Sequence, residues 1–589
     1  MGTKAEELIK LARKNYLYLS EAELKLLRKV AEGEEADYLS RDQTENDPQK
    51  GYTWGQKRSP NIDVIIWLCT DKEAIECLTH KGISITGAKI DGCLDLDFID
   101  LDVPLIFRRC YFSQGIKLRC ARVKLLDFSQ SYIASSEYAI FAQNAHIKSN
   151  IFLRDGFQAN GQVCFYGATI EGSLDCRKGI FKNYKEYAIY AEQAQIKFDV
   201  FLSDGFKADG EVSFYSATIE GNLQCINSQF QKLYLPSKYA PLTWTFFKKR
   251  PIIDIRWLKL LFKLFEILYK SNLVINAELT IINGYVLLSD GFQATGIVRF
   301  FNARINGTFS LRKIKNPENM VLDLSFAKID ILEDDPDSWP EQNNLFLEGL
   351  VYETINNNVL SKSNSGKSRL EWIRRQNLSQ DFSPQPYEQL AKVLLLSGYK
   401  NKAVDILIAK QNDLRKYGDY SHLRRLWLRI LNRTIAHGYK PKRVFWYITP
   451  LILVGFFCFS CGDSNNLMTP SNNIEPFNHT SDEEILDNYP KYKNILGNNS
   501  DFQELSINYP KFNALMYSVD AFVPIINFHQ QDYWLPNANK GDNINFLIIT
   551  IPLNTGSLLR WYLWFHIVMG WFLSSLWVAG FTGLVRRLE

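Results

Sequence analysis

A long internal repeat constrains the fold of this chain more than any other feature. Two stretches, YAIFAQNAHIKSNIFLRDGFQANGQVCFYGATIEGSLDC from Tyr138 and YAIYAEQAQIKFDVFLSDGFKADGEVSFYSATIEGNLQC from Tyr187, match at a spacing of 49 residues. A third copy, INAELTIINGYVLLSDGFQATGIVRFFNARINGTFSL, repeats Gly205 as Gly291, 86 residues later, and a looser copy, ITGAKIDGCLDL, precedes the first. Long self-similarity of this kind predicts a stack of structural repeats.

Each copy contains the pattern A-x-I-x-G-x-L/F, in which apolar residues occupy every second position. A period of two is typical of a strand with one buried face, and the recurring DGF tripeptides are typical of tight turns. Because one repeat cannot bury its own apolar face, stacked repeats are expected to bury a continuous column. We therefore predict a mainly β chain with a β-solenoid over residues 81–333. A β-sandwich is disfavoured because the copies match over nearly 40 residues.

The segments around the solenoid are predicted to be helical. Residues 1–80 contain SEAELKLLRKVAEG, a capped amphipathic pattern that suits a helical cap on the open solenoid end. Residues 334–368 are polar and are interpreted as a linker. Residues 369–443 are predicted to form a helical hairpin, with Gly398 ending its first helix, followed by a basic segment. The hairpin is similar to a single TPR-like unit.

An insertion at 236–272 separates the second and third copies. Its core, PIIDIRWLKLLFKLFEILYK, predicts an amphipathic helix with a basic stripe beside a wide aromatic face. The residues that define this membrane-surface hypothesis are Trp257, Lys259, Phe262, Lys263 and Lys270. Such a helix suits a lipid surface and suits packing on protein equally well, and the sequence leaves both alternatives open.

Acidic residues recur at equivalent places in the repeat: Asp155, Asp204 and Asp290 precede their glycines. A row of carboxylates is compatible with calcium, but one aspartate per copy supplies too few ligands. We interpret these residues as architectural, with the side chain accepting from a turn amide. No catalytic, cofactor or metal residues are assigned. The near balance of 68 basic and 64 acidic residues argues against nucleic acid as a partner.

Two apolar runs near the C-terminus predict a transmembrane helix at 444–462 and a second transmembrane helix with a basic tail at 560–589. Val444–Ser460 has no charge, and Trp561–Val585 has His566 as its one ionisable group. Seven basic residues and no acidic one lie between Ser421 and Arg443, whereas the loop 463–559 holds eleven carboxylates and four lysines. The positive-inside rule then predicts an inner (plasma) membrane protein with both termini in the cytoplasm. Eight of the ten cysteines lie in the first 225 residues, which suits a reducing cytosol.

The outside loop contains a candidate re-entrant segment at 513–530. Its first part, ALMYSVDAF, resembles the pore helix of potassium channels, but PIINFHQ stands where that family has a TVGYG-type filter. Helix, re-entrant helix, extended segment and helix follow one another as in a two-helix channel subunit. The candidate pore-loop residues are Tyr517, Ser518, Asp520, Pro524, Asn527 and His529.

Several stretches together resemble a family of bacterial pentapeptide-repeat-type membrane proteins. They are NDPQKGYTWGQKRSPNIDVIIWLC, the GAKIDGCLDL coils, LEDDPDSWP, FSPQPYEQLAKVL and ALMYSVDAFVPII. The resemblance implies a right-handed β-helix with roughly square coils. The chain departs from the strict A-(D/N)-L-x-x period, so it does not predict a regular pentapeptide prism. No established activity comes with the resemblance, although some members loosely resemble oxidoreductases.

Two functional hypotheses follow. The first is a membrane-anchored cytosolic solenoid that senses or recruits a cytosolic protein partner and is coupled to a homo-oligomeric, channel-like two-helix module in the lipid bilayer. The alternative is a membrane-associated, oxidoreductase-like enzyme, for which His529 beside Asp532 and Tyr533 is the outside cluster with acid–base potential. The sequence favours the first hypothesis because no complete catalytic motif accompanies that cluster.

Overall fold

The computed structural model describes residues 4–232, 272–356, 365–379, 382–471, 510–546 and 549–584. The chain divides into two compact units, Met1–Leu407 and Ile408–Glu589. The α-helices described are α1 Lys4–Asn15, α2 Glu21–Glu32, α3 Ile62–Thr70, α4 Lys72–Cys77, α5 Ser365–Arg374, α6 Gln385–Leu396, α7 Lys400–Tyr417, α8 His422–Ile435, α9 Phe445–Ser464, α10 Ala514–Phe522, α11 Gln530–Tyr533 and α12 Thr555–Phe581. Short 3₁₀ turns lie at Gln43–Asn46, Pro48–Thr53, Gln56–Arg58, Pro317–Asn319, Pro336–Ser338 and Pro441–Val444.

The first unit is a parallel β-solenoid of about 10 turns, which confirms the predicted fold class. Within the described residues, one sheet has 17 strands: Ala36–Asp37, Ile83–Thr86, Asp100–Arg108, Arg122–Asp127, His146–Ile147, Ile151–Phe152, Thr169–Ile170, Leu174–Asp175, Gln195–Ile196, Val200–Phe201, Thr218–Ile219, Leu223–Ile226, Ile281–Ile282, Val286–Ser289, Arg304–Arg312, Lys328–Asp334 and Val351–Ile355. The other has 15: Lys89–Ile90, Leu94–Asp95, Tyr111–Phe112, Ile116–Lys117, Tyr132–Ile133, Tyr138–Phe141, Gln158–Asn160, Gln162–Cys164, Ile180–Tyr190, Lys207–Ser213, Gln229–Gln231, Leu273–Asn276, Gln293–Arg299, Met320–Asp323 and Leu345–Phe346.

The register of the strands explains the 49-residue repeat. Thr169 pairs with His146 on the preceding turn and with Gln195 on the following turn. His146 and Gln195 occupy equivalent places in the two copies, 49 residues apart. One sequence copy therefore spans two turns of the solenoid, each of about two dozen residues.

The solenoid core is a column of side chains that repeat from turn to turn. Phe157, Phe181, Phe206, Phe230 and Phe292 are fully buried. Their rings follow one another with centroid separations of 5.5, 5.3, 5.3 and 5.6 Å. Offset aromatic pairs at such distances add to the free energy of apolar burial. The phenylalanines of the DGF tripeptides, Phe157, Phe206 and Phe292, therefore belong to one column, in which Phe181 and Phe230 occupy the intervening turns.

The recurring aspartates lie at corners between strands. Asp155, Asp204 and Asp290 have φ values of 58°, 58° and 48°, in the left-handed region that short polar side chains tolerate. The Asp290 carboxylate accepts from the Lys313 ammonium of the next turn at 2.8 Å. The aspartates shape the corners through their own backbone conformation and, at Asp155 and Asp290, form ion pairs with Lys178 and Lys313 of the next turn. The predicted bond from a turn amide to these side chains is not the contact that the structure gives.

Helices close the N-terminal end of the solenoid. The Ser20 side chain and the Glu23 carboxylate form a capping box at the start of α2, and Gly33 ends the helix with φ 70°. The chain then enters the sheet, where Ala36 and Asp37 pair with Ile85 and Thr86. The first full turn thus meets a short strand and helices instead of solvent, which protects an edge that would otherwise pair with another chain.

The C-terminal end of the solenoid lies beyond the predicted boundary at residue 333. Strands Leu345–Phe346 and Val351–Ile355 continue the parallel sheets through part of the segment interpreted as a linker, 334–368. The last strand was missed because its buried residues, Tyr352 and Ile355, are three apart and break the period of two. A helix, and not a further turn, covers this strand.

Side chains of the following helices form hydrogen bonds with backbone carbonyl groups of the last turn. The Gln385 and Gln389 amides on α6 donate to the carbonyls of Leu350 and Tyr352 at 2.9 and 2.6 Å. Such contacts use backbone acceptors that another strand would otherwise bind. Gly398 has φ 84° and follows the end of α6, as the sequence predicts.

A buried ion pair fixes α5 to the same end. The Arg369 guanidinium and the Asp334 carboxylate are both almost fully buried, with a hydrogen bond of 2.9 Å from Nη1 to Oδ2. The Trp339 indole donates to the same carboxylate at 3.0 Å. Because removing one member leaves a buried charge, such a pair fixes the position of the helix strongly.

The predicted membrane-surface helix of the insertion, with Trp257, Lys259, Phe262, Lys263 and Lys270, lies outside the described residues. All ten cysteines are free thiols. Most of those in the solenoid unit are buried, and burial raises the pKa of the Cys69 and Cys110 thiols to about 12. Cys120 differs from them, because it is exposed at a corner with φ 52°.

Candidate functional site

The candidate site in the second unit is built around the short helix α10. Asn513 caps its N-terminus, where the side-chain oxygen accepts from the amides of Leu515 and Met516, each at 3.1 Å. The helix ends at Phe522, two residues before Pro524, which cannot continue it. It lies against both long apolar helices, α9 and α12. The predicted re-entrant segment 513–530 therefore begins with a real helix.

Glycines on the long helices make room for α10. A Cβ on Gly570 of α12 would lie 1.9 Å from the Phe522 carbonyl oxygen. A Cβ on Gly455 of α9 would lie 2.3 Å from the Ser518 hydroxyl and 2.6 Å from the His566 ring. Small residues of this kind let helix backbones approach closely. Gly570 is thus a packing residue for α10.

A buried polar cluster joins the three helices. The Ser518 hydroxyl donates to the Ile452 carbonyl of α9 at 2.8 Å. His566 of α12 is 1% exposed, and its Nε2 lies 3.1 Å from the Ser518 carbonyl and 3.2 Å from the Ser518 hydroxyl. The Tyr562 hydroxyl lies 3.3 Å from His566 Nδ1.

The hydrogen-bond partners assign the proton positions. Because the Ser518 hydrogen is already donated to Ile452, both Ser518 oxygens act as acceptors toward His566. Nε2 therefore carries a proton, and in the neutral imidazole Nδ1 accepts from the Tyr562 hydroxyl. In this arrangement His566 is neutral and both ring nitrogens are satisfied. A satisfied neutral imidazole is a tolerable polar group in an apolar environment.

Aromatic side chains close the cluster on its loop side. The Tyr517 ring is buried, with centroids 4.8 Å from Phe459 and 5.4 Å from Phe512. The Trp534 indole donates to the Pro510 carbonyl at 2.9 Å. An antiparallel pair, Met468–Pro470 with Trp534–Pro536, joins the end of α9 to this region, and a second pair joins Asn543–Phe546 to Ile549–Asn554.

The segment after α10 is held by one carboxylate. Asp520 is buried and accepts from the Phe528 amide at 2.7 Å and the Gln531 amide at 3.0 Å. Ile525, which lies between Asp520 and Phe528 in the chain, is largely exposed. The connection therefore forms a fixed loop that presents apolar and polar groups outward.

The six predicted pore-loop residues divide into two groups. Tyr517, Ser518 and Asp520 point into the unit, where they pack and bond as described. Asn527 and His529 lie on the loop, where the Asn527 side chain accepts from the His529 amide at 2.7 Å, and Pro524 begins the turn that leads there. The structure thus places three of the six in the interior and three on the presented loop.

The outside cluster considered for catalysis is a surface pair. His529 Nδ1 lies 2.9 Å from the Asp532 carboxylate, and both side chains are more than half exposed. Screened pairs of this kind contribute little free energy. Among the described residues, no group of three or more His, Cys, Asp or Glu side chains is placed to hold a metal ion.

Sequence reasoning missed the partners that give α10 its position. Gly455 was not singled out, and His566 was noted only as the ionisable group of an apolar run. A lone ionisable residue in such a run is itself the signal that a polar partner lies opposite it. The identity of that partner, Ser518, depends on helix packing, which no local pattern encodes.

Comparison with protein-family models, with curated proteins and with solved structures finds no match to this chain. The resemblances to pentapeptide-repeat-type proteins and to channel subunits therefore stay predictions.

Proposed function

We propose that the protein is a membrane-anchored sensor or scaffold whose solenoid is coupled to a pore-forming, homo-oligomeric module made of α9, α10 and α12. Two helices, Pro441–Ser464 and Thr555–Phe581, are long and apolar enough to cross a membrane. The observation that carries the proposal is the short helix α10, which enters between them at Gly455 and Gly570.

The outward faces of both long helices support the membrane anchor. The buried residues of α12 form one stripe: Gly556, Leu559, Leu563, His566, Gly570, Leu573, Leu576 and Gly580. Its other faces expose Trp561, Trp564, Phe565, Val568 and Trp571. In α9 the buried residues are Gly455, Phe459 and Gly462. The core helix of a soluble protein would bury such apolar faces, whereas lipid is a suitable environment for them.

Charge supports one orientation. Seven basic residues between Ser421 and Arg443 precede α9, and Arg586 and Arg587 follow α12. Keeping these cations inside satisfies both the membrane potential and anionic lipid. The acidic loop 463–559 is then extracytoplasmic, and the solenoid and both termini are cytosolic.

The pore component of the proposal rests on the geometry of α10 and its loop. A helix inserted between two spanning helices, followed by a loop that a buried carboxylate fixes, is the layout of a two-helix channel subunit. One such subunit encloses no channel, so several copies are required around a common axis. The presented loop, with Pro524, Asn527 and His529, would line the outer part of that pore.

Conductance of the full chain reconstituted in planar bilayers tests the proposal. We expect discrete conductance steps. Asn527→Asp adds a negative charge to the loop, so we expect its reversal potential to shift in the direction that indicates greater cation selectivity. Aspartate keeps the acceptor that Asn527 offers to the His529 amide, so the loop is expected to keep its shape.

The matched control is Asn539→Asp, since Asn539 is exposed in the turn after strand Trp534–Pro536. It adds the same charge outside the proposed pore and should leave the reversal potential unchanged. The absence of conductance in an oligomeric, folded sample would remove the pore and leave a membrane-tethered scaffold. An equal shift in both variants would remove Asn527 from the pore lining.

A further inference from the structure

Helix α8, His422–Ile435, precedes the first long apolar helix and has three distinct faces. Its first face is buried: Leu428, Leu431 and Ile435 pack in one cluster with Leu573 and Leu576 of α12. This contact attaches α8 to the C-terminal half of α12. The helix is therefore a fixed part of the second unit, and its other two faces have definite directions.

The second face is apolar and exposed. Leu423, Leu426 and Trp427 are 80%, 50% and 44% exposed, and their spacing of three and four residues places them on one side of the helix. One edge of the Trp427 ring packs on Phe572, with centroids 6.2 Å apart. A row of large apolar side chains that are this exposed is unusual on a protein surface in contact with water.

The third face is basic. Arg425, Arg429 and Arg433 follow at intervals of four residues and so lie on one stripe, beside the apolar one. Arg425 is half-buried and donates to the Gly418 carbonyl at 3.3 Å, whereas Arg429 and Arg433 are exposed. The sequence has no acidic residue between positions 421 and 443 to neutralise them.

The position of α8 along the chain identifies the surface that it meets. The helix ends at Ile435 and α9 begins at Phe445, with Trp446 and Tyr447 exposed in its first turn. The Tyr447 hydroxyl lies 3.4 Å from the Arg433 carbonyl. Exposed Trp and Tyr at the start of a spanning helix lie at the level of the lipid headgroups. The end of α8 is therefore at that level too.

The turn after α8 adds no titrating positive charge at physiological pH. His437 in that turn is buried near Arg415, and burial lowers its pKa to about 4. The positive charge of the basic face therefore comes from its arginines.

We infer that α8 lies in the surface of the membrane and binds anionic lipid headgroups. Leu423, Leu426 and Trp427 enter the acyl boundary, while the Arg429 and Arg433 guanidinium groups contact the lipid phosphates. Basic amphipathic helices bind membranes by this combination of apolar burial and charge. Guanidinium groups suit phosphate because they donate two parallel hydrogen bonds. The inference rests on the membrane anchor of the proposed function.

Lipids retained by the full-length protein test the inference. The chain is inserted into nanodiscs of equal phosphatidylcholine and phosphatidylglycerol, released into detergent, and its bound lipids are counted by native mass spectrometry. We expect the wild type to retain phosphatidylglycerol in excess. The double variant Arg429→Gln/Arg433→Gln should lower that preference about 25-fold, because each of the two cations near an anionic surface contributes about a factor of five.

The control is Lys57→Gln/Lys178→Gln in the first unit, which removes the same charge from two exposed lysines, one in the N-terminal cap and one on the solenoid. It should retain phosphatidylglycerol as the wild type does. Equal retention of both lipids by the wild type, or an equal loss in both double variants, would overturn the lipid site. A chain that enters nanodiscs but shows no preference contradicts only this inference. A chain that fails to enter them contradicts the membrane anchor itself.

Discussion

In the solenoid, Phe206 lies between Phe181 and Phe230 on neighbouring turns, and the same contact recurs along the column. In the second unit, α10 has one position, which the space above Gly455 and Gly570 determines. Each turn of a solenoid contacts only the turns next to it, so a substitution in one turn is expected to affect mainly those neighbours. A single close contact between helices has no such neighbours. The comparison teaches that the two units should respond differently to changes of similar size.

The largest effect is expected in the solenoid column. Phe206→Ala should lower the free energy of unfolding by about 3–5 kcal/mol, because it removes a fully buried ring and leaves a cavity. Hydrogen exchange should show the lost protection concentrated in the adjacent strands Ile180–Tyr190 and Gln229–Gln231. Phe198→Ala, at a largely exposed phenylalanine, is the control and should change stability by less than about 0.5 kcal/mol. Loss of protection throughout the solenoid would contradict the expectation that each turn is stabilised mainly by the turns next to it.

The next effect is expected where α10 meets α12. Gly570→Ala adds one methyl group 1.9 Å from the Phe522 carbonyl oxygen, so the helices must separate. Overpacking of this kind costs about 1–3 kcal/mol. Hydrogen exchange in detergent should show faster exchange in Ala514–Phe522, while solenoid strands keep their protection. Val568→Ala, on an exposed face of α12, is the control. Unchanged exchange in α10 after Gly570→Ala would refute the close contact.

A smaller effect is expected from the polar cluster. Ser518→Ala and His566→Phe should show a coupling free energy of about 0.6–1.7 kcal/mol in a double-mutant cycle, the range for hydrogen bonds between membrane helices. Thermal unfolding of the four proteins in one detergent measures it. Additive effects of the two substitutions would mean that Ser518 and His566 do not bond.

The smallest effect is a pH dependence of the solenoid. Burial raises the pKa of Glu211 from 4.5 to about 7, against the opposing effect of Lys232 at 3.4 Å. The folded state then holds more protons than the unfolded state between these values, so the stability present below pH 4.5 is lost as pH rises through 7.

Glu211→Gln should remove this slope, which thermal unfolding between pH 4 and pH 8 measures. The exposed Glu220, whose pKa is lowered by Lys197, provides the control Glu220→Gln. If the stability of Glu211→Gln still depends on pH between 4.5 and 7, another ionisable group causes that dependence.

Sequence reasoning predicted the two units to different depths. The solenoid was predictable because each A-x-I-x-G-x-L/F copy reports the same local environment, as Ala168 and Ala217 illustrate by being equally buried. The C-terminal end of the solenoid was not predictable from the sequence. Helix α6 covers the last strand through Gln385 and Gln389, and these two residues are not part of the repeat pattern. In the second unit, hydropathy identified the long helices and the α10 pattern was visible. The bond from Ser518 to His566 depends on three-dimensional packing between positions 48 residues apart.

The most direct test of the account asks on which side of the membrane each region lies. Asn539→Cys introduces a thiol at an exposed position of the outside loop, in a Cys461→Ser background because Cys461 is also exposed. The native exposed Cys120 of the solenoid reports the other side. With an impermeant maleimide, we predict labelling of Asn539→Cys in intact cells and of Cys120 only after lysis. Labelling of Asn539→Cys only after lysis, or of Cys120 in intact cells, would contradict the proposed membrane topology.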